Sequence, residues 1–182
     1  MKRAAFAALG LSGVLASCNV TVVDPVDPVR NFRLLSYQSQ YTLPADYTDT
    51  RTGTVYPKGT SIICDNLSTR LGVTLDWDGT INEVSARLQG RDTGTTRTVS
   101  SNPLGDRYSA KPSTFEFVVG PNTAPLSIGQ KGLSAQDIVV TPVRTFTVKG
   151  ATFVDVQARS SDGTVTPLRQ SVQALPVADC TL

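Results

Sequence analysis

Carboxylates and hydroxyls are the side chains with which this sequence could do chemistry, because the chain contains no histidine. That absence excludes Ser-His-Asp and Cys-His catalysis, His-ligated zinc or copper, and a titrating imidazole switch. A glycosidase needs two carboxylates across a cleft, and the densest acidic cluster contains Asp76, Asp78 and Glu83. Asp76 and Asp78 could also open a calcium loop, but the later acidic ligands are missing. We expect turn-forming aspartates here, with an Asp-based enzyme as the alternative.

Serine catalysis has no support in the sequence. A serine nucleophile without histidine would need a lysine base, and the chain has no Ser-x-x-Lys motif and no Gly-rich phosphate loop. Beyond the first residues, the lysines all lie in predicted turns or loops: Lys58, Lys111, Lys131 and Lys149. The sequence therefore predicts a protein that is not an enzyme and holds no metal or cofactor.

Two groups of side chains could bind a ligand instead. The first is a set of tyrosines in the N-terminal third of the chain: Tyr37, Tyr41, Tyr47 and Tyr56. If exposed, their rings could stack on sugars, but half-buried tyrosines around an added hairpin would explain them equally well. The second is a set of arginines near one predicted hairpin: Arg70, Arg87, Arg91 and Arg97. These could meet an anionic polymer, or they could simply protect a strand edge.

The N-terminal residues have the layout of an export signal. A basic head at residues 1–3 precedes an Ala- and Leu-rich stretch at residues 4–14, which small residues follow. A helix that crosses a bilayer needs roughly 20 apolar residues, so this stretch is too short to span one. Residues 1–17 are predicted to be a cleaved signal peptide.

The motif Leu15-Ala16-Ser17-Cys18 resembles the lipobox of bacterial lipoproteins. The resemblance implies that the Cys18 thiol carries a glyceride in thioether linkage and that Cys18 begins the mature chain. An ordinary signal peptide with a cysteine at its cleavage site is the alternative. Because two or three acyl chains anchor far more firmly than one, the mature protein is expected to stay on a membrane. Asn19, where some lipoproteins have Asp, implies the outer membrane.

Residues 18–31 are predicted to form a stiff, extended tether, because Pro25 and Pro28 recur in a Val-Asp-Pro-Val unit. A first β-strand built from the valines of this segment is the alternative. The whole chain has 17 basic and 15 acidic residues, and cleavage would remove Lys2 and Arg3 to leave 15 of each sign. This balance argues against nucleic acid as a partner.

Cys64 and Cys180 are the two other cysteines of the chain. Export would place them in an oxidising compartment, so a disulfide between them is expected, with two separate buried thiols as the alternative. No Cys-x-x-Cys pair is present to support redox catalysis.

Residues 32–182 are predicted to form one all-β domain, because Thr, Val and Ser dominate and Gly and Pro recur at short intervals. The clearest predicted strands cover residues 70–77, 115–119, 153–158 and 164–172, the last two joined by an Asp162-Gly163 turn. Weaker strands are predicted at residues 32–38, 54–56, 61–64, 95–100 and 143–148.

The segment at residues 81–89 fits two structures. A capping box at Thr80-Ile81-Asn82-Glu83 predicts a helix, whereas the alternation of Val84 with later apolar residues predicts a strand. We favour the strand, because it would pair directly with the strand that ends at residue 77.

These strands resemble a fibronectin type III or immunoglobulin-like β-sandwich. Leu71-x-Val73-x-Leu75-x-Trp77 is similar to the second strand of that module, with its tryptophan in the core, and residues 81–90 are similar to the third. Residues 150–158 with their following turn are similar to the sixth strand and the hairpin to the seventh. The resemblance implies an antiparallel sandwich, although a phenylalanine at residue 153 replaces the family's corner tyrosine.

The domain is longer than such a module needs, which predicts an added N-terminal hairpin and long loops. One long loop covers residues 120–136, where Leu126 and Ile128 could contact a partner. Together the motifs predict a non-catalytic, lipid-anchored protein of the cell envelope that binds or stabilises another envelope protein or a surface assembly. A carbohydrate-binding module for cell-wall or surface glycans is the alternative.

Overall fold

The computed structural model describes residues 27–100, 104, 111–122 and 138–182 of the chain. The predicted signal peptide, Cys18 and most of the predicted tether lie outside these residues, as do Leu126 and Ile128. Within the described residues, no helix has the length and apolar character that crossing a bilayer requires.

The described residues form β-strands and no helix, which confirms the all-β prediction. In chain order the strands are β1 (Arg30–Ser39), β2 (Tyr41–Thr42), β3 (Tyr47–Thr48), β4 (Val55–Tyr56), β5 (Ser61–Cys64), β6 (Thr69–Asp78), β7 (Glu83–Gly90), β8 (Thr96–Ser100), β9 (Ser113–Val119), β10 (Thr141–Pro142), β11 (Thr145–Arg159), β12 (Arg169–Gln170) and β13 (Leu175–Thr181). The segment at residues 81–89 is therefore the strand β7 and not a helix.

The strands assemble into two main sheets and one small hairpin. The smaller main sheet has the order β1-β6-β9, and the larger has the order β10-β2-β5-β13-β11-β7-β8, with β12 also paired to β11. The hairpin pairs β3 with β4. Most pairs are antiparallel, but β10–β2 and β13–β5 are parallel, so the larger sheet is mixed and the prediction of a wholly antiparallel fold is wrong.

The first hydrophobic core fills the space between the β1-β6-β9 sheet and the β7–β11 part of the larger sheet. Alternate residues of β6 point into it, and Trp77 is 1% exposed with its ring 6.1 Å from that of Phe115. Val84 from β7 and Val154 and Val156 from β11 close it from the other side. The sequence pattern predicted this core, because a period of two places every second residue on one face of a strand.

The second hydrophobic core surrounds the disulfide and is built from short strands. Its buried members are Tyr41, Leu43, Tyr56, Ile62, Cys64, Val143, Ala178 and Cys180. The β3–β4 hairpin covers it, because the Tyr47 ring packs edge-on against Phe146 of β11 at 5.9 Å between centroids. The hairpin lies between β1 and β6 in the chain.

The two cores lie on opposite faces of the larger sheet. On β13, Val177 packs against the first core whereas its neighbour Ala178 belongs to the second, and successive side chains of a strand point to opposite faces. On β11, Val148 packs against the second core and Val154 against the first, although an even spacing would place both on one face. A β-bulge between Val148 and Gly150 reverses the faces of β11 at this point.

The Cys64–Cys180 disulfide joins β5 to the final strand β13, as the sequence predicted. It closes a loop with a sequence separation of 116 residues, which is worth about 4 to 5 kcal/mol in the chain-entropy model. Asn66 adds to the link, because its side-chain amide donates to the Cys180 carbonyl at 2.9 Å and accepts from the Cys180 N–H at 2.8 Å. The last strand is thus held covalently and by hydrogen bonds.

Three strand predictions are wrong in detail. Strand β7 does not pair with β6 but with β8 and β11, because the turn at Gly79 carries the chain from one sheet to the other. The strands predicted at residues 143–148 and 153–158 are parts of the single strand β11. The strand predicted at 164–172 is reduced to one bridge at Val165 and the two residues of β12, since Thr166 and Ser171 bond to β11 through side-chain oxygens.

The described chain enters the domain against the turn between β6 and β7. The Asp27 carbonyl accepts hydrogen bonds from the Thr80 N–H at 3.0 Å and from its hydroxyl at 3.1 Å. Gly79 has a φ of +82°, and a Cβ built there would lie 2.3 Å from the Pro28 carbonyl oxygen. A glycine at this position therefore allows both the turn and the close approach of the entering chain.

Replacement of Gly79 by alanine is expected to lower the free energy of unfolding more than replacement of Gly163. Both glycines have positive φ, but a Cβ at Gly163 meets open space. Gly163→Ala should therefore cost about 1 to 2 kcal/mol for the left-handed backbone. Gly79→Ala should cost roughly 1 to 3 kcal/mol more, because backbone must move. Urea unfolding of both variants measures this, and equal costs would contradict the docking of residues 27–28 on the turn.

Candidate functional site

The acidic cluster proposed from the sequence is divided among separate ion pairs. Asp76 accepts a hydrogen bond from Arg33, and Glu83 lies 3.8 Å from Arg159. Asp78 accepts from the Asn31 amide and from Lys111, and these hydrogen bonds, that of Asn31 first, lower its pKa. Each carboxylate thus has its own neutralising partner, and the described contacts bring no two of them together across a cleft.

The four tyrosines are divided between the two cores. Tyr41 and Tyr56 are 5% and 2% exposed, so their rings belong to the second core and are not available to a ligand. Tyr47 is half-buried and stacks on Tyr56, with 6.2 Å between the ring centroids. Tyr37 lies half-buried on β1, where its hydroxyl donates to the Gln173 carbonyl at 2.9 Å. The four rings therefore do not form the exposed platform that the sequence suggested for sugars.

An ionic cluster fixes the β3–β4 hairpin to the end of β7. Arg91 donates to Asp49 at 2.6 Å and to Asp92 at 3.0 Å, while Arg51 lies 3.0 Å from Asp92. The guanidinium of Arg91 also reaches the Tyr56 hydroxyl at 3.5 Å. Hydrogen bonds from Arg91 are the main cause of the lowered pKa of both Asp49 and Asp92.

Two other arginines of the predicted set also pair with carboxylates. Arg87 on β7 makes two hydrogen bonds to the Oδ2 atom of Asp155 on β11, at 2.8 and 2.6 Å. Asp155 is 1% exposed, so this pair satisfies a charge that burial would otherwise penalise. Arg70 lies 3.6 Å from Glu116 on the other sheet. Arg70, Arg87 and Arg91 are therefore divided among separate ion pairs, and Arg97 is exposed on β8.

Among the described residues, a groove of about 210 Å³ has the concave shape of a small binding site and lies where the larger sheet passes beyond the first core. We name it the junction groove. Its lining comes from four segments: Asp65 after β5, Gly90, Thr93 and Thr95 around the β7–β8 turn, Lys149, Gly150, Ala151 and Thr152 of β11, and Val177 of β13. The bulge of β11 opens it, because the strand loses its regular pairing at Lys149.

Charged and hydroxyl groups surround the junction groove. The Lys149 ammonium lies 2.8 Å from Asp65 and 3.2 Å from Asp179, and the hydrogen bonds to these carboxylates raise its pKa. On the opposite side, the hydroxyls of Thr93 and Thr95 hydrogen-bond to each other. A Cβ at Gly150 would meet no atom within 4 Å, so this glycine leaves the groove open.

Sequence reasoning missed this groove. Its lining residues run from Asp65 to Val177, more than a hundred positions apart in the chain. Each of them, taken singly, is an ordinary turn or strand residue. The sequence pattern conceals the bulge, because Val148, Val154 and Val156 are an even number of residues apart and predict a single face of one regular strand. No grouping of three or more metal-ligating side chains occurs in the part of the chain that the structure describes.

Comparison with known proteins gives no further guide to the site, since no protein-family model, curated protein or solved structure matches the chain.

The pKa of Asp49 is expected to rise toward the ordinary value of an aspartate when Arg91 is replaced by glutamine, because its main hydrogen-bond donor is lost. Because its folded-state pKa is lowered, Asp49 contributes stability that is present above about pH 4 and is lost as the pH falls through the folded pKa. Carbon-13 NMR titration of the carboxyl groups in wild type and Arg91→Gln measures the shift. The pKa of Asp162, lowered by Ser160 and Thr164, serves as the internal control. An unchanged Asp49 pKa would contradict the pairing.

Proposed function

We propose that this chain is a lipid-anchored protein of the cell envelope, in the outer membrane, that works by non-covalent contact with another envelope protein and not by catalysis. The lipobox at Cys18 supports the anchor. The division of the carboxylates among separate ion pairs supports the absence of an acid-base pair. The observation that carries protein contact is an exposed apolar edge beside β1.

The apolar edge is formed by Leu35, Leu168 and Val172, which are 52%, 40% and 102% exposed. Leu35 lies at an irregularity in the pairing of β1 with β6, and its side chain is exposed. The segment around β12 is held beside β1, because Arg169 donates to the Phe32 carbonyl at 3.1 Å. Strand β1 is the outer strand of its sheet, and exposed apolar side chains beside such an edge fit a surface that a partner protein covers.

The position of residues 27–28 indicates which end of the domain would face the membrane and which end would be free. Residues 27–28 lie against the β6–β7 turn, so a tether from Cys18 would attach at this end. Strand β7 runs from there to Gly90 over roughly 25 Å at the usual rise of a strand. The second core and the junction groove lie at the far end, directed away from an anchored N terminus.

The finer fold assignment is part of the same proposal. Strand β6 lies between β1 and β9, whereas β7 and β11 are neighbours in the other sheet together with β8 and β12. An immunoglobulin-like module also places its second strand in one sheet and its third and sixth strands in the other. We infer an immunoglobulin-like sandwich in which β2 to β5, which supply part of the second core, are inserted between the first and second strands.

Replacement of Cys18 by alanine is expected to release the protein from membranes into the soluble fraction. The physical reason is the loss of the acyl chains, which supply about 0.8 kcal/mol for each buried methylene. Sedimentation of lysed cells with immunodetection measures the distribution. Asn19→Asp is the matched control, because it leaves the anchor intact and should change at most the membrane that is reached. Retention of Cys18→Ala on membranes would refute the anchor.

A photo-crosslinking amino acid at Val172 is expected to capture one envelope protein in living cells, because this side chain is fully exposed on the apolar edge. The same crosslinker at Thr98, exposed on β8, is the control and should not capture it. Leu168→Asp should reduce the captured product at least tenfold. Equal capture from both positions, or a product that Leu168→Asp leaves unchanged, would contradict a partner at this edge.

A further inference from the structure

We propose that the junction groove binds a neutral saccharide unit. This site is separate from the apolar edge and does not depend on the lipid anchor. It would give the protein a second contact, to a glycan, at the end that lies away from the entering chain.

The shape of the groove supports a small polar ligand. Gly150 and Val177 are register partners on β11 and β13 and both line the groove, where Gly150 presents no side chain. Its volume of about 210 Å³ is below the roughly 300 Å³ of pockets that hold a whole drug-sized molecule. A single sugar ring at the end or side of a longer glycan fits such a space better than a cofactor does.

The hydrogen-bonding groups match hydroxyls. Each threonine hydroxyl can donate once and accept twice, so Thr93 and Thr95 keep capacity beyond the bond between them. The Lys149 ammonium has three donors, of which two are directed to Asp65 and Asp179. A ligand that both donates and accepts at closely spaced positions would match these groups, and sugar hydroxyls have this property.

The charges of the groove argue against other ligand classes. The two charged side chains that line the groove, Lys149 and Asp65, form an ion pair, and Asp179 outside the lining contacts the same ammonium. A phosphate or carboxylate ligand would meet these carboxylates and is disfavoured. A bare cation is disfavoured as well, because the Lys149 ammonium lies 2.8 Å from Asp65 and would repel a second positive charge there. The charged and hydroxyl lining disfavours a purely apolar ligand, which could not satisfy those groups. A neutral polyol is the class that remains.

Glycan-array screening and calorimetric titration of the purified full chain with neutral oligosaccharides of glucose, galactose, mannose and N-acetylglucosamine test the proposal. We expect at least one to bind at millimolar or tighter affinity. Gly150→Val should weaken that binding at least tenfold, because its side chain occupies open space in the groove without a clash or a positive φ. An oligosaccharide that contains uronic acids should bind more weakly than its neutral counterpart.

A matched pair of further variants tests the groove independently, in case Gly150→Val does not fold. Thr95→Val removes a hydroxyl from the groove and should weaken binding, whereas Thr98→Val removes an exposed hydroxyl of β8 outside the groove and should not. Three outcomes would overturn the proposal: no neutral saccharide binds, only acidic saccharides bind, or Gly150→Val and Thr95→Val bind as wild type does. None of these outcomes bears on the crosslink from Val172 or on the anchor, which are measured separately.

Discussion

Strand β11 must satisfy two hydrophobic cores, and the rest of the fold depends on how it does so. Its fifteen residues extend for about 50 Å, so one end lies in the sandwich and the other beyond it. In a regular strand Val148 and Val154, six residues apart, would point to the same face, whereas the two cores lie on opposite faces of the larger sheet. The bulge at Lys149 turns Val148 toward the second core while Val154 stays in the first. The same irregularity opens the junction groove, so packing and candidate site have one structural cause.

Ionic and covalent links then secure the parts that the first core cannot reach. The β3–β4 hairpin has only two residues in each strand, which is too short for independent stability. The guanidinium of Arg91 donates to Asp49 of this hairpin, and the backbone N–H of Arg91 donates to the Ala151 carbonyl of β11 at 2.9 Å. The final strand is held by the disulfide and by Asn66. The second core is therefore a small cluster with strong local fastening, whereas the first is stabilised mainly by apolar packing.

The parts of this fold that the sequence predicted are those governed by local pattern. The alternation from Leu71 to Trp77 predicted β6 and its buried face, and the pair of remaining cysteines predicted the disulfide. Strand pairing across sheets was not predictable, because β6 and β7 adjoin in the chain but belong to different sheets. The burial of Tyr41 and Tyr56 also depends on tertiary contacts of very short strands. The groove escaped prediction for the same reason, since four distant segments meet there.

The link between Cys64 and Cys180 also bears on what a protease could do to this molecule. Every residue from 65 to 179 lies inside the covalent ring that this bond closes, including both long connections on either side of β9. A single backbone cut anywhere within it yields two pieces that remain one molecule until the bond is reduced. The C-terminal piece would then stay with the N-terminal piece, and so with whatever holds the N terminus in place. One proteolytic cut between residues 65 and 179 would therefore break the backbone without releasing any part of the domain.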